Sequence, residues 1–388
     1  MSIGWRSTTL GATATLAVCL VSAISAGGQA APGEPQMAET VFKNIQFLKG
    51  IPVDEFMDTM GMFAAATAKD CSGCHSPEIY TGNRDAFAIA TPMIQKARGM
   101  IAMAQTINRS YFQNQKRVTC YTCHTATSNP GRVPNLSIQY GTPPADNPNA
   151  LDFVALPDLA NQVDQIFGKY IQALGGAQRL AAVTSVVATG TYSGWDTARA
   201  EVPVEITGKA PNQLRTIVRR HEGSNTWTFD GSNAWFAGID APISNYTTTY
   251  TGGNLAGART DAMVMLAPAT IQRAFSRWQV SEGLIDDTPV TILQGTNQGE
   301  MPVNLYFDDS GLLARLVRWS DTAVGPVPIQ FDFADYRDAG GVKRPFRWVK
   351  TWTNNRATFA LKDVRPNVPI DATTFVKPSP VVIPGAQR

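Results

Sequence analysis

Cys71-Ser72-Gly73-Cys74-His75 and Cys120-Tyr121-Thr122-Cys123-His124 are two copies of one pattern, C-x-x-C-H. Two thiols at this spacing can form thioethers to the vinyl groups of one porphyrin, and the adjoining imidazole lies where it can bind the iron. Two covalently attached c-type haems are therefore predicted, held by Cys71 and Cys74 and by Cys120 and Cys123. His75 and His124 are the expected iron ligands. The same thiols could form a zinc site or disulfides, but neither arrangement has a use for a histidine directly after each pair.

The chain contains three histidines. Two are committed to the motifs, so bis-histidine ligation of both irons is excluded within one chain, and methionine becomes the expected sixth ligand. Over residues 53–69, Phe56, Met60, Phe63 and Ala64 recur at three- and four-residue steps and predict a helix whose apolar face contains Met60. A second helix opens with Thr91 at the cap and Pro92 in the first turn. Its stripe is Met93, Ala97, Met100, Ala104, Ile107 and Tyr111, with Met100 in the middle. A methionine on such a face more often fills a core, but each of these helices leads directly to an iron that needs a ligand. Met60 and Met100 are the candidates, with Met103 competing for the second position.

Composition sets the frame. The 388 residues are 44% hydrophobic and 16% charged, enough for more than one core, and the formal net charge of +2 gives a nucleic-acid partner no electrostatic support. Arg6 precedes an uncharged run over 7–26, followed by small residues, which reads as a signal peptide over 1–30 cleaved near Ala26 or Ala30. Cleavage would remove Cys19 and leave the four motif cysteines; retention as a membrane anchor is the alternative. The expected location is the periplasm. Pro, Asn and Gly cluster over 135–157 and predict a linker. It separates a small, mainly α dihaem domain at 35–134 from a second domain at 158–388.

The segment Lys43-Asn44-Ile45-Gln46-Phe47-Leu48-Lys49-Gly50, then Glu55-Phe56-Met57-Asp58-Thr59-Met60, and Ile107-Asn108 followed by Val118-Thr119-Cys120-Tyr121-Thr122-Cys123-His124, resembles the cytochrome c subunit of photosynthetic reaction centres. The resemblance covers about residues 39–134. In that family a helix before each C-x-x-C-H carries the axial methionine, which implies Met60 in Thr59-Met60 and Met100 two residues after Arg98. The family subunit typically holds four haems in two pairs, whereas this chain has one pair. It also lacks a histidine between Asn108 and Cys120. The chain looks like a non-photosynthetic relative in which a dihaem unit is fused to a different domain.

That second domain is expected to begin with a helix over 158–174 closed by Gly175-Gly176. Strand patterns follow, cleanest at Ile329-Gln330-Phe331-Asp332-Phe333 and again at Val303-Asn304-Leu305-Tyr306-Phe307, with turns at Asp230-Gly231, Asp309-Ser310-Gly311 and Gly340-Gly341. A further helix is predicted over 260–276, bent at Pro268. The expected fold is α+β with an antiparallel sheet, faintly similar to the half-barrels of periplasmic lipoprotein carriers. His221 is the only histidine after the motifs and no cysteine follows Cys123, so a Cys/His metal cluster or a Cys-His catalytic pair is excluded there. The Trp-rich sheet could take an apolar ligand or a docking partner.

Electron transfer between redox proteins, including a membrane-bound respiratory or photosynthetic complex, is the leading functional expectation. The rivals are a dihaem peroxidase or oxidoreductase with one open haem position, and a haem-bearing component of a larger respiratory complex.

Overall fold

The computed structural model describes residues 35–131, 159–239, 247–353 and 355–378. The signal-peptide reading of 1–30 and the linker reading of 135–157 lie outside the described residues. Around the motifs run α1 (Ala38–Val41), α2 (Val53–Thr67), α3 (Pro92–Tyr111) and α4 (Cys120–His124), with α5 (Leu159–Ala173) and α6 (Ala177–Ala181) following. Then come β1 (Ser185–Gly194), β2 (Val202–Lys209), β3 (Gln213–Arg220), β4 (Gly223–Phe229), β5 (Ala234–Gly238) and β6 (Thr247–Thr249). Helix α7 (Gly252–Leu266) separates these from β7 (Arg277–Ile285), β8 (Thr288–Thr296), β9 (Val303–Phe307), β10 (Leu313–Thr322), β11 (Gly325–Asp338), β12 (Lys343–Trp352) and β13 (Asn355–Pro366).

All thirteen strands form one antiparallel sheet in the order β6-β5-β4-β3-β2-β1-β13-β12-β11-β10-β9-β8-β7. It consists of two meanders joined where the first strand pairs with the last, Val186 opposite Pro366 and Tyr192 opposite Phe359. The sheet is open, with β6 and β7 at its edges. The expected antiparallel α+β sheet is present, and the three turn signals fall between β4 and β5, β9 and β10, and β11 and β12. Gly231, Gly311, Gly340 and Gly341 supply the positive φ those turns require.

Helix α5 matches the predicted first helix, and Gly175 and Gly176 end it in left-handed backbone. Its Phe167 and Tyr170 pack on Phe307, with ring centroids 6.1 and 5.2 Å apart, and Phe167 also meets Trp278 at 5.0 Å. Burial of each such ring contributes roughly 1.5–3 kcal/mol. Strand β9 departs from the alternation expected of it. All five residues are buried: α5 packs over Phe307 on one face, and on the other Tyr306 clusters with Ile292, Val317 and Trp319 of the neighbouring strands.

The later helix also differs from expectation. It starts at Gly252 and ends at Leu266, and Pro268 opens a separate 3-10 turn, Pro268–Ala274, instead of bending a continuous helix. Proline has no N–H to continue the ladder. The early start was hidden because the cap is not local. The carboxylate of Asp54, on α2, accepts from the Thr251 backbone N–H at 2.7 Å and from its hydroxyl at 3.1 Å. Further along, Gly257 lets α7 lie directly on the Arg318 guanidinium, which is bound bidentately to Asp261 at 2.9 and 2.8 Å.

Helix α2 ties the motif-bearing segment to the sheet, packing on β10, β6 and β11 as well as on α4. Asp58 accepts from Asn254 at 2.7 Å, and Lys116 donates to Asp321 at 3.0 Å and to the Thr322 carbonyl at 2.6 Å.

Candidate haem-attachment site

Each motif sits on a short helical turn opened by a capping side chain. Before the first, Asp70 accepts from the Gly73 N–H at 3.0 Å and the Ser72 hydroxyl at 2.8 Å, which also hold its carboxyl below the usual range. The turn Cys71–Gly73 follows, and the His75 N–H closes on the Cys71 carbonyl at 2.9 Å. Before the second, Thr119 and Thr122 form a capping box, each side chain accepting from the other's backbone N–H at 3.3 and 3.0 Å. Residues three apart on such a turn lie on one side, so both thiols of a pair can reach one ligand edge.

The two histidines are oriented in the same way. His75 Nδ1 lies 3.1 Å from the Phe87 carbonyl, and His124 Nδ1 lies 3.1 Å from the Thr127 carbonyl. A carbonyl only accepts, so Nδ1 carries the proton and Nε2 presents its lone pair. The Phe87 ring meets the His75 imidazole edge-on at 5.1 Å. Burial lowers the His75 pKa, favouring the neutral form that binds metal.

Helix α3 braces both turns. At its start Thr91 accepts from the Ile94 N–H at 3.1 Å and donates to the Cys74 carbonyl at 2.5 Å. The predicted cap residue thus also fastens the first motif. Near its end, buried Asn108 exchanges two hydrogen bonds with the backbone of Val118, just ahead of the second motif. From its middle, Arg98 donates to the Asn44 carbonyl at 2.7 Å, and Asn44 in turn donates to the Ala88 carbonyl at 2.8 Å.

All four thiols are free; Cys71 and Cys123 are exposed, while Cys74 and Cys120 are half-buried and their pKa values are raised by burial. Among the described residues no group of three or more His, Cys, Asp or Glu side chains is placed to hold a metal ion. The four thiols therefore do not converge as a shared tetrahedral zinc site would require.

The methionines separate by environment. Met57 lines a cavity on the sheet side of α2, and buried Met62 packs near Gly325. Met60 is half-buried between these commitments. On α3, Met100 and Met103 are 42% and 46% exposed, so burial does not rank one above the other.

Two observations test whether a porphyrin suits these residues. Of the thirteen exposed large apolar side chains among the described residues, ten fall between Met57 and Tyr121; Trp195, Leu284 and Val376 are the others. The stretch of chain that carries both motifs thus leaves apolar side chains exposed that a porphyrin would cover. In addition, Arg98 Nη1 is buried with no hydrogen-bond partner, a donor of the kind a propionate carboxylate takes. The residues fit the group. Arg98 and the two carbonyl acceptors were not singled out from sequence as site residues; a backbone carbonyl has no sequence signal, and Arg98 figured only as a landmark for Met100.

Residues 11–149 match the family described as Photosynthetic reaction centre cytochrome C subunit. Both motifs, Met60 and Met100 lie inside that span. Among solved structures, a DUF1329 family protein from Desulfovibrio piger is similar at 9% identity and TM-score 0.37, over 55% of this chain and 96% of its own. A LolA superfamily protein from Nitrosomonas europaea is similar at 12% identity and TM-score 0.35, over 55% of this chain and 97% of its own. Among the described residues no helix is long and apolar enough to cross a membrane.

Proposed function

We propose that the region matched by that cytochrome family carries two covalently bound c-type haems, each with His/Met axial ligation, and that the chain is a periplasmic electron-transfer protein. The observation carrying this reading is the repeated arrangement at the two motifs. Both place a thiol pair on a capped turn and hold the following histidine by Nδ1, leaving Nε2 to face a ligand. Bound haem supplies a one-electron iron couple.

What the chain contributes is position. Cys71 with Cys74, and Cys120 with Cys123, are the covalent anchors. The carbonyls of Phe87 and Thr127 fix the imidazole planes and raise ligand basicity, as partners beyond the ligands do in metal sites. Met60 and Met100 supply thioethers, which raise the potential relative to a second imidazole. Arg98 is placed to take a propionate. Partners are redox proteins, including a membrane-bound respiratory or photosynthetic complex.

The test is intact mass and absorption of protein exported from a host competent in cytochrome maturation. Two haems add roughly 1.2 kDa and give the sharp reduced bands of c-type haem. One haem, none, or zinc in place of iron would overturn the reading.

A further inference from the structure

On the side of α2 away from the motifs lies a cavity of about 450 Å³, within the roughly 300–1,000 Å³ typical of small-molecule sites. Its walls come from α2, α7 and strands of both meanders, and they are aromatic: Trp227, Phe236, Phe331, Trp348, Trp352 and Phe359. Two cationic donors on these walls have no hydrogen-bond partner among the described residues, Arg318 Nη1 and the Lys350 ammonium. The Lys350 ammonium reaches no hydrogen-bond acceptor or ion-pair partner among the described residues; it rests 5.4 Å from the Phe331 ring centroid and 4.9 Å from that of Trp352.

The neighbouring charges are engaged to different degrees. Arg318 binds Asp261 through Nε and Nη2 and leaves Nη1 without a partner, Asp196 accepts from Tyr192 and Asn355, Asp58 accepts from Asn254 through one oxygen, and Asp54 is held by Thr251. The Lys350 side chain is half-buried at the cavity wall, and burial together with repulsion from Arg318 lowers its pKa to about 8 against the opposing pull of Asp261 and Asp58. At neutral pH it remains an ammonium in need of an oxygen.

We propose that this cavity binds one planar aromatic molecule bearing a carbonyl or carboxylate oxygen, its rings stacked among the Trp and Phe side chains and its oxygen accepting from Lys350. Aromatic walls favour a flat ring system over a flexible acyl chain, because faces can stack at little entropic cost. The Lys350 ammonium, with Arg318 Nη1 lining the same cavity, sets the orientation. A cationic ligand would meet like charge from Lys350 and Arg318 at that wall.

The experiment is calorimetric titration of the purified full-length holoprotein with 2-naphthoate, using decanoate and 2-naphthylmethylammonium as comparison ligands. One naphthoate should bind per chain, more tightly than either comparison ligand. Lys350→Met should weaken it about tenfold or more, whereas Lys350→Arg, which keeps the charge and donors, should retain it. Thermal melts of both variants verify folding. Absence of naphthoate binding, equal binding by Lys350→Met, or tighter binding of decanoate or the ammonium would overturn the proposal. Haem content is read separately in the same samples, so either conclusion can fall without the other.

Discussion

Asn108 and Val118 are clasped by a reciprocal pair of hydrogen bonds: Asn108 Oδ1 accepts from the Val118 N–H at 2.8 Å, and Asn108 Nδ2 donates to the Val118 carbonyl at 2.7 Å. The side chain of one helix thereby acts as a strand partner for the backbone that enters the second motif. A carboxamide offers a donor and an acceptor side by side, which matches the N–H and C=O of one backbone residue.

Asn108→Ala should cost about 1–3 kcal/mol, because it leaves both backbone groups of half-buried Val118 without their protein partner. Asn108→Asp keeps the acceptor and should fall between. Denaturant unfolding followed by circular dichroism measures this; an unchanged midpoint in Asn108→Ala would show that water replaces the amide freely.

Met60→Ala and Met100→Ala should each abolish the sulfur-to-iron charge-transfer band of one haem and lower that haem's potential. Met57→Ala and Met62→Ala should leave the band intact, since one side chain lines the cavity and the other packs near Gly325. Met103→Ala decides the second ligand. If it removes the band and Met100→Ala does not, the assignment on α3 moves by three residues.

Lys350→Met should stabilise the protein at pH 7. The folded-state pKa of about 8 lies below the ordinary 10.5, so the unfolded chain binds this proton more tightly. The resulting penalty is complete below about pH 8 and fades as pH rises toward 10.5. The gain in the variant is at most about 3 kcal/mol, and it should shrink steadily across that window. Melting temperatures of both proteins from pH 7 to 10.5 check the sign; a gap that widens with pH would contradict it.

Gly257→Ala should destabilise by about 1–3 kcal/mol, because an added methyl would meet the Arg318 guanidinium, which Asp261 holds bidentately and cannot release cheaply. Arg318→Met combined with Gly257→Ala should not restore the loss, since it leaves Asp261 without its partner. Thermal unfolding of the single and double variants measures both statements.

The haem motifs were legible because their chemistry is compressed into five residues, and the helices before them because Met60 and Met100 repeat with the helical period. Thr91 and Pro92 announced the start of α3 for the same local reason. What escaped was non-local. The start of α7 depends on Asp54, whose place above Thr251 exists only after folding. The full burial of β9 depends on α5 arriving over Phe307. No local sequence signal marks Lys350, and only the pairing of β12 with β11 and β13 places it against Phe331 and Trp352.

The middle of the sheet is a seam between Ser185–Gly194 and Asn355–Pro366, its first and last strands in chain order. Each meander can zip by local hairpins, but their union requires a long-range closure that comes late and slowly. Removing the chain from residue 355 onward would leave β1 and β12 as raw hydrogen-bonding borders and expose the chain to aggregation. Cysteines 71, 74, 120 and 123 all precede that seam in the chain, so under the proposed function porphyrin would be attached to them while the sheet is still in two unjoined pieces.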